Sequence, residues 1–424
     1  GSSPLQAKLP SIHSQQVLSV LQKFARYPHR LRDLEGQFFS TVFFNETQAQ
    51  TDGTIKRQTG FPETAEGLIL SGPHFYVGNP LSKTPRRKCT EKGHYDVLDL
   101  SHIPDDYLPR TNYVPACSPA EYERRIPRVP WVEEGESESR KVTEYYRMVF
   151  RKMLSISGER SLISSLLAKG FGHIHACKSF LLNSPLQRIQ ILCLAQTHSL
   201  PFDFLIKAQG KDNLDLSPNS FFSFSSTPFA EPLSLRTLSL NCLTTHYAEL
   251  WQSQFDPAFR SERWTSNDPR LNPAFFSALT HHWQRNVALR SDYERRQALL
   301  EIDVLVAMAL GLTLDELETI YRIQFPVMQQ YERDTFYDAS GRIVWTNSKG
   351  LVGVGLESRK EWEAVQDLPP GQSCSKTFLD DTLPGGAVER TITYTAPFLP
   401  ADRVSDYRIA WKVFSERLAQ GEGA

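Results

Sequence analysis

The chain has 424 residues, 40% apolar and 22% charged, with a formal net charge of −1. That is ordinary globular composition, long enough for several structural units, and it excludes a collagen-like or low-complexity chain. Near-neutral total charge does not exclude a basic face, because a neutral whole can hide a local cluster.

In chain order, residues 14–26 (SQQVLSVLQKFAR) have helical spacing, with Val17, Leu18, Leu21 and Phe24 expected on one face. Many of the 27 prolines fall in the first 135 residues, which implies irregular, turn-rich structure there. Within it, FFSTVFFNE (38–46) and GLILSGPHFYVG (67–78) read as strands. Gly78-Asn79-Pro80 reads as a turn that ends a strand and projects the basic stretch KTPRRK (83–88) outward. VEEGESESRK (132–141) reads as a surface loop.

Residues 143–156 return to helical spacing, and GFGHIHACKSFLL (170–182) reads as a strand. LQRIQILCLAQTHSLPFDFLIKA (186–208) reads as a long apolar helix interrupted near Pro201. KDNLDLSPNSFFSFS opens into a loop and a strand. Helices are expected over 233–255 and 274–310, with Gly311 as a stop. Thr313 and Glu316 have capping-box spacing for the next helix, which Pro326 closes. Hairpin-like pieces and a final short helix follow residue 336.

The pattern implies a mixed α+β fold: an irregular, Pro-rich, β-containing N-terminal part, an α/β core and a helical C-terminal part. The expected segments are 1–135, 143–260, 270–335 and 336–424, the last a hairpin and helix extension.

The six cysteines are scattered, with no Cys-x-x-Cys pair, so no zinc ribbon or redox dithiol is expected and the chain reads as reduced and cytoplasmic. No run of about 18 apolar residues marks a membrane span. His173 and His175 could ligate a metal from one strand face, but no third ligand has suitable spacing, so hydrogen-bonding roles are expected and no metal is assigned. No Walker A loop, Gly-x-Ser-x-Gly or dinucleotide fingerprint occurs, and no catalytic residue is assigned. GLVGVGL (350–356) reads as a turn.

Two places have the chemistry of nucleic-acid contact. Lys83, Arg86, Arg87 and Lys88 form a cluster, followed by Arg110, Asn112 and Tyr113. Lysine and arginine neutralise phosphates, arginine and asparagine read base edges, and tyrosine stacks. Lys207, Lys211 and Asn213 form a second polar loop directly after a helix. The plain alternative for each is a solvated surface.

Two longer stretches carry a resemblance. LQRIQILCLAQTHSLPFDFLIKAQGKDNLDLSPNSFFSFSSTP (186–228) resembles the recognition-region segment of TaqI-like, gamma-class adenine DNA methyltransferases, in which an Asn-Ser-bearing helix precedes a Gly/Asn loop. Here His198-Ser199 stands where the family has Asn-Ser, and FSFSSTP replaces the Pro-containing strand that ends the segment. EIDVLVAMALGLTLDELETIYRIQF (301–325) looks like a helix pair near the end of that region, with Leu310 in place of the usual tyrosine. The chain as a whole looks like the C-terminal half of the large methyltransferases of restriction–modification and BREX- or DISARM-like phage-defence systems.

The resemblance implies a target-recognition part, with the catalytic domain upstream or on another chain. It implies no cofactor in this chain and S-adenosylmethionine in the catalytic domain. The implied partners are double-stranded DNA, a catalytic methyltransferase domain or subunit, and other defence-system proteins, with no membrane. The Asn-Pro-Pro-Tyr loop that holds a target adenine is not matched by Gly78-Asn79-Pro80-Leu81-Ser82, which lacks the second proline and the stacking ring. Two rivals stay open: a scaffold subunit of a defence complex, and a diverged methyltransferase or nuclease that acts alone.

Overall fold

A computed structural model describes residues 15–91, 93–155, 157–348 and 353–421. Its centre is an antiparallel sheet in the order Phe38–Thr41, Cys177–Leu182, Arg147–Arg151, Ser164–Leu167. The helix Gln187–His198 lies against this sheet, fixed by Gln190. The Gln190 side chain accepts from the Leu182 amide at 2.8 Å and donates to the Tyr146 carbonyl at 2.7 Å. Behind that helix pack Ala230–Asn241 and Asp292–Ala309, with the final helix Arg403–Ala419 outside them. The fold is mixed α+β.

The apolar run at 186–208 divides where its free N–H groups can be answered. Gln187–His198 and Leu200–Lys207 meet at 72°. Ser199 caps the second helix by accepting from the Phe202 amide, and Asp303 accepts the Leu200 amide at 2.7 Å. Pro201 sits in the first turn, where its missing N–H costs nothing, so it starts the second helix rather than breaking the first. No single helix among the described residues is long and apolar enough to cross a membrane; this bent pair is largely buried in the protein.

Several buried charges in this helical layer are paired. Arg403 donates to Asp303 at 2.8 Å and to Glu332 at 3.0 Å; Tyr407 donates to Asp303 at 2.6 Å. Arg160 reaches Asp203 at 2.7 Å, and Asp203 also accepts the Ser161 and Leu162 amides. Burial costs such charges dearly unless every lone pair is used. Glu159 is the contrast: buried, with one oxygen held by Ser348 at 2.8 Å and the other without a partner. His198 is also buried, and its pKa is pulled down to about 3 by burial and by nearby Arg160 and Arg295.

Several sequence expectations shift in space. Residues 143–156 contain the strand Arg147–Arg151, not a helix; residues 147–150 are buried on both faces, so no alternation betrays the strand. Only Asp292–Ala309 of 274–310 is α-helical, and the 3-10 turn Arg285–Val287 is the regular element before it. The helix expected over 233–255 is two, Ala230–Asn241 and Ala248–Gln254. SPNSFFSFS forms a 3-10 turn and an isolated bridge from Phe222 to Arg30, not a strand. In Gln15–Arg26 the buried positions are Val17, Val20 and Phe24, while Leu18 is exposed. Pro326 begins a further helix, Pro326–Arg333. Gly311 at φ +69° and the Thr313–Glu316 capping box stand as read.

The main apolar core runs from Val17 to Phe414 and draws on all four sequence segments. Smaller cores lie beside it. One joins Leu81, Leu98, Tyr107 and Leu243. Another lies under the two-stranded ribbon of Ser373–Asp380 and Val388–Thr395, around Trp362, Ile392 and Tyr394. The ribbon and the irregular N-terminal layer meet, and that seam contains the basic cluster.

Candidate nucleic-acid interface

The stretch before the cluster is an interior turn. Tyr76 and Asn79 exchange backbone hydrogen bonds at 2.9 and 3.1 Å, and Gly78 takes φ +62°. The Gly78 carbonyl accepts from Arg295 at 2.7 Å, and a Cβ at Gly78 would lie 3.4 Å from Leu240 and Leu299. A left-handed residue in contact with two leucines needs glycine. The turn therefore anchors the N-terminal layer to the helices, instead of projecting from a strand end.

From there the chain enters the short strand Lys83–Pro85, paired with Tyr95–Val97. Lys83 is half-buried, and burial with the charge of Arg151 holds its ammonium below the usual range. The following turn places Arg86, Arg87 and Lys88 in solvent. Arg86 pairs with Asp96 at 2.8 Å. Arg87 makes a forked contact with Asp381 of the ribbon, at 2.9 Å from Nε and 2.8 Å from Nη2.

Arg110, Asn112 and Tyr113 are brought to the same layer but face inward. Arg110 donates to the Pro85 carbonyl at 3.3 Å, approaches Asp381 at 3.0 Å and lies 4.4 Å over the Phe61 ring. Asn112 donates to Tyr95 at 2.8 Å and accepts from Thr59 at 3.0 Å. Tyr113 donates its hydroxyl to Glu46. The strand Thr111–Pro115 pairs with Ile55–Gly60, and its first three residues are fully enclosed. In this conformation Asn112 and Tyr113 cannot read or stack on a base; with Arg110 they stiffen the support beneath the exposed turn.

The second loop is built differently. Lys207 donates to the Gln324 carbonyl at 2.6 Å and sits 4.9 Å over Phe325, so it staples two helices. Lys211 lies 3.6 Å from Asp215, and exposed Asn213 bridges through its backbone to Met153. The structure thus gives the 83–113 group a common layer and leaves 207–213 on a separate support. The paired histidines are structural: His173 bonds Ser179 at 2.8 Å, and His175 accepts the Glu46 amide at 3.0 Å.

A cleft of about 250 Å³ with charged groups in a partly apolar lining is absent from the sequence reading. Residues 98–101, 290–292, 340–343 and 353–354 converge on it, with Tyr394 of the ribbon. Asp99 takes hydrogen bonds from Ser101 and Arg342; burial raises its pKa, but these contacts outweigh it and hold the carboxyl at about 2. Asp292, whose Oδ2 accepts the Ile343 amide at 2.8 Å, is pushed up to about 6 by burial and by the Asp99 charge. The sequence reading ran a helix straight through residues 291–292 and could not see the cleft, which assembles from segments far apart in the chain.

Comparison of the chain with family models and with curated proteins finds no match.

Proposed function

We propose that the chain is the target-recognition part of an adenine-specific DNA methyltransferase in a restriction–modification or phage-defence system. The S-adenosylmethionine-binding catalytic domain lies outside it, on the same or another polypeptide, and the complex works in the cytoplasm. The turn at 85–90 carries this reading: Arg86, Arg87 and Lys88 are consecutive, exposed and mounted on a layer stiffened by buried Arg110, Asn112 and Tyr113. Consecutive cations on a rigid support suit phosphate contact, which sets register on a duplex and makes binding salt-dependent. The motifs at 186–228 and 301–325 add the methyltransferase context.

The test is a titration of a mixed-sequence duplex with the full chain across a salt series. Binding should weaken steeply with salt, and Lys88→Gln should flatten the log–log slope by about one. No binding at low salt, together with specific methylation by the catalytic partner alone, would sink the proposal.

A second reading, a chain active by itself, is favoured by one observation: the divergent carboxyls of Asp99 and Asp292 in one cleft, the pattern of an acid–base pair. Transfer of labelled methyl from S-adenosylmethionine to DNA by this chain alone, abolished by Asp292→Asn, would establish it over the first.

A further inference from the structure

We propose that Arg87 and Arg110 form a phosphodiester-binding site for the DNA backbone, and that Asp381 occupies this site in the free chain until DNA displaces it. This rests on the chain being a duplex-DNA binder.

Two guanidinium groups converge on one carboxylate. Arg87 presents its fork to Asp381 at 2.8–3.0 Å, and Arg110 adds Nη2 at 3.0 Å. The local balance is two positive charges against one negative. A phosphodiester has the same charge as a carboxylate and two non-bridging oxygens that a guanidinium fork also matches.

The surroundings separate this cluster from a closed structural pair. A groove of about 300 Å³ opens beside it, lined by Thr59, Gly60, Phe61, the two arginines, Gly385 and Gly386. Gly385 and Gly386 have φ of +98° and +107°, and a Cβ at Gly385 would meet nothing within 4 Å. That wall of the groove carries no side chains, so an anion can approach its backbone closely.

The two arginines differ in a useful way. The Arg110 side chain is 4% exposed, backed by the Pro85 carbonyl and the Phe61 ring, and so is preorganised. The Arg87 side chain is 62% exposed and reachable from solvent.

Asp381 can leave without moving the ribbon. Its neighbours are held independently: Asp380 by Arg390 at 2.9 Å, and the Thr382 carbonyl by the Tyr107 hydroxyl at 2.6 Å. Turning one side chain away vacates the forks. The Arg87 contact is exposed on the arginine side and so weak enough to exchange; the enclosed Arg110 needs an anion in place of Asp381, which a phosphate supplies, and a duplex offers many phosphates at once.

The experiment measures affinity of the full chain for a short duplex by fluorescence anisotropy across salt, with thermal melting as the check on folding. Asp381→Asn keeps the shape and removes the charge. It should raise affinity about three- to tenfold at low salt and steepen the salt slope by about one. Adding Arg87→Gln should cancel the gain, as should neutral methylphosphonate linkages in the duplex.

If wild type binds DNA and Asp381→Asn binds no better, the displacement site is wrong while the DNA-binding reading stands. If neither binds, both fall. If inorganic phosphate at fixed ionic strength competes away the gain as fully as an excess of unlabelled duplex does, the site is a free-anion site and the proposal is overturned. Should Asp381→Asn melt early, Arg87→Gln alone decides: a loss of about two- to fourfold supports the site, and unchanged affinity overturns it.

Discussion

The helical layer and the ribbon seam use the same chemistry to opposite ends. In the helical layer Arg403, Asp303, Glu332 and Tyr407 are sealed from water, and each charge is answered by several partners. At the seam Arg86 and Arg87 hold Asp96 and Asp381 at similar distances, but with more than half of each arginine side chain in solvent. Distance alone does not tell a brace from an exchangeable contact. Enclosure does, because water and salt compete only for the exposed pair.

That contrast can be broken most severely from inside. Asp303→Ala leaves Arg403 buried without one of its counter-charges and frees the Leu200 amide at the helix junction. The expected loss is about 3–5 kcal/mol of unfolding free energy, read by urea denaturation; a loss like that of a surface pair would erase the distinction.

Glu159 sharpens the comparison, since it is enclosed but poorly answered. Burial pushes its carboxyl up from 4.5 to about 7. The folded state then holds the proton more tightly than the unfolded state does. The contribution of Glu159 to stability is therefore greatest below about pH 4.5 and falls as pH rises through 4.5 to 7, by about 3 kcal/mol in total. Glu159→Gln should remove this decline, so that denaturation curves at pH 5 and pH 7.5 draw together. The smallest effect belongs to the seam: Arg86→Gln should change stability by less than about 1 kcal/mol, measured in the same way.

Legibility in the sequence follows the same division. Features set by local chemistry were readable: the Gly311 stop, the Thr313–Glu316 cap and the division near Pro201. Those set by tertiary enclosure were not. Arg147–Arg151 is buried on both faces and shows no strand alternation, and residues 274–284 have helical spacing but are held by distant partners such as the Cys242 carbonyl on Trp283. The basic turn at 86–88 was found because charge density is visible in a string of letters. That Arg110, Asn112 and Tyr113 point inward was not visible, because the partners that enclose them, Asp381, Tyr95 and Glu46, are far away in sequence. Asp381 itself has no local signature.

The bond from Arg295 to the Gly78 carbonyl spans 217 residues. At ribosomal speeds of about 5–20 residues per second, Gly78 emerges roughly 10–40 s before its partner exists. Until the helices from Gln187 onward are made, the apolar residues beside it, Phe75, Tyr76 and Val77, have no helical layer to enter, and the Arg295 clamp comes later still. The nascent N-terminal layer therefore waits with that apolar surface uncovered, for a time set by the translation rate rather than by its own stability.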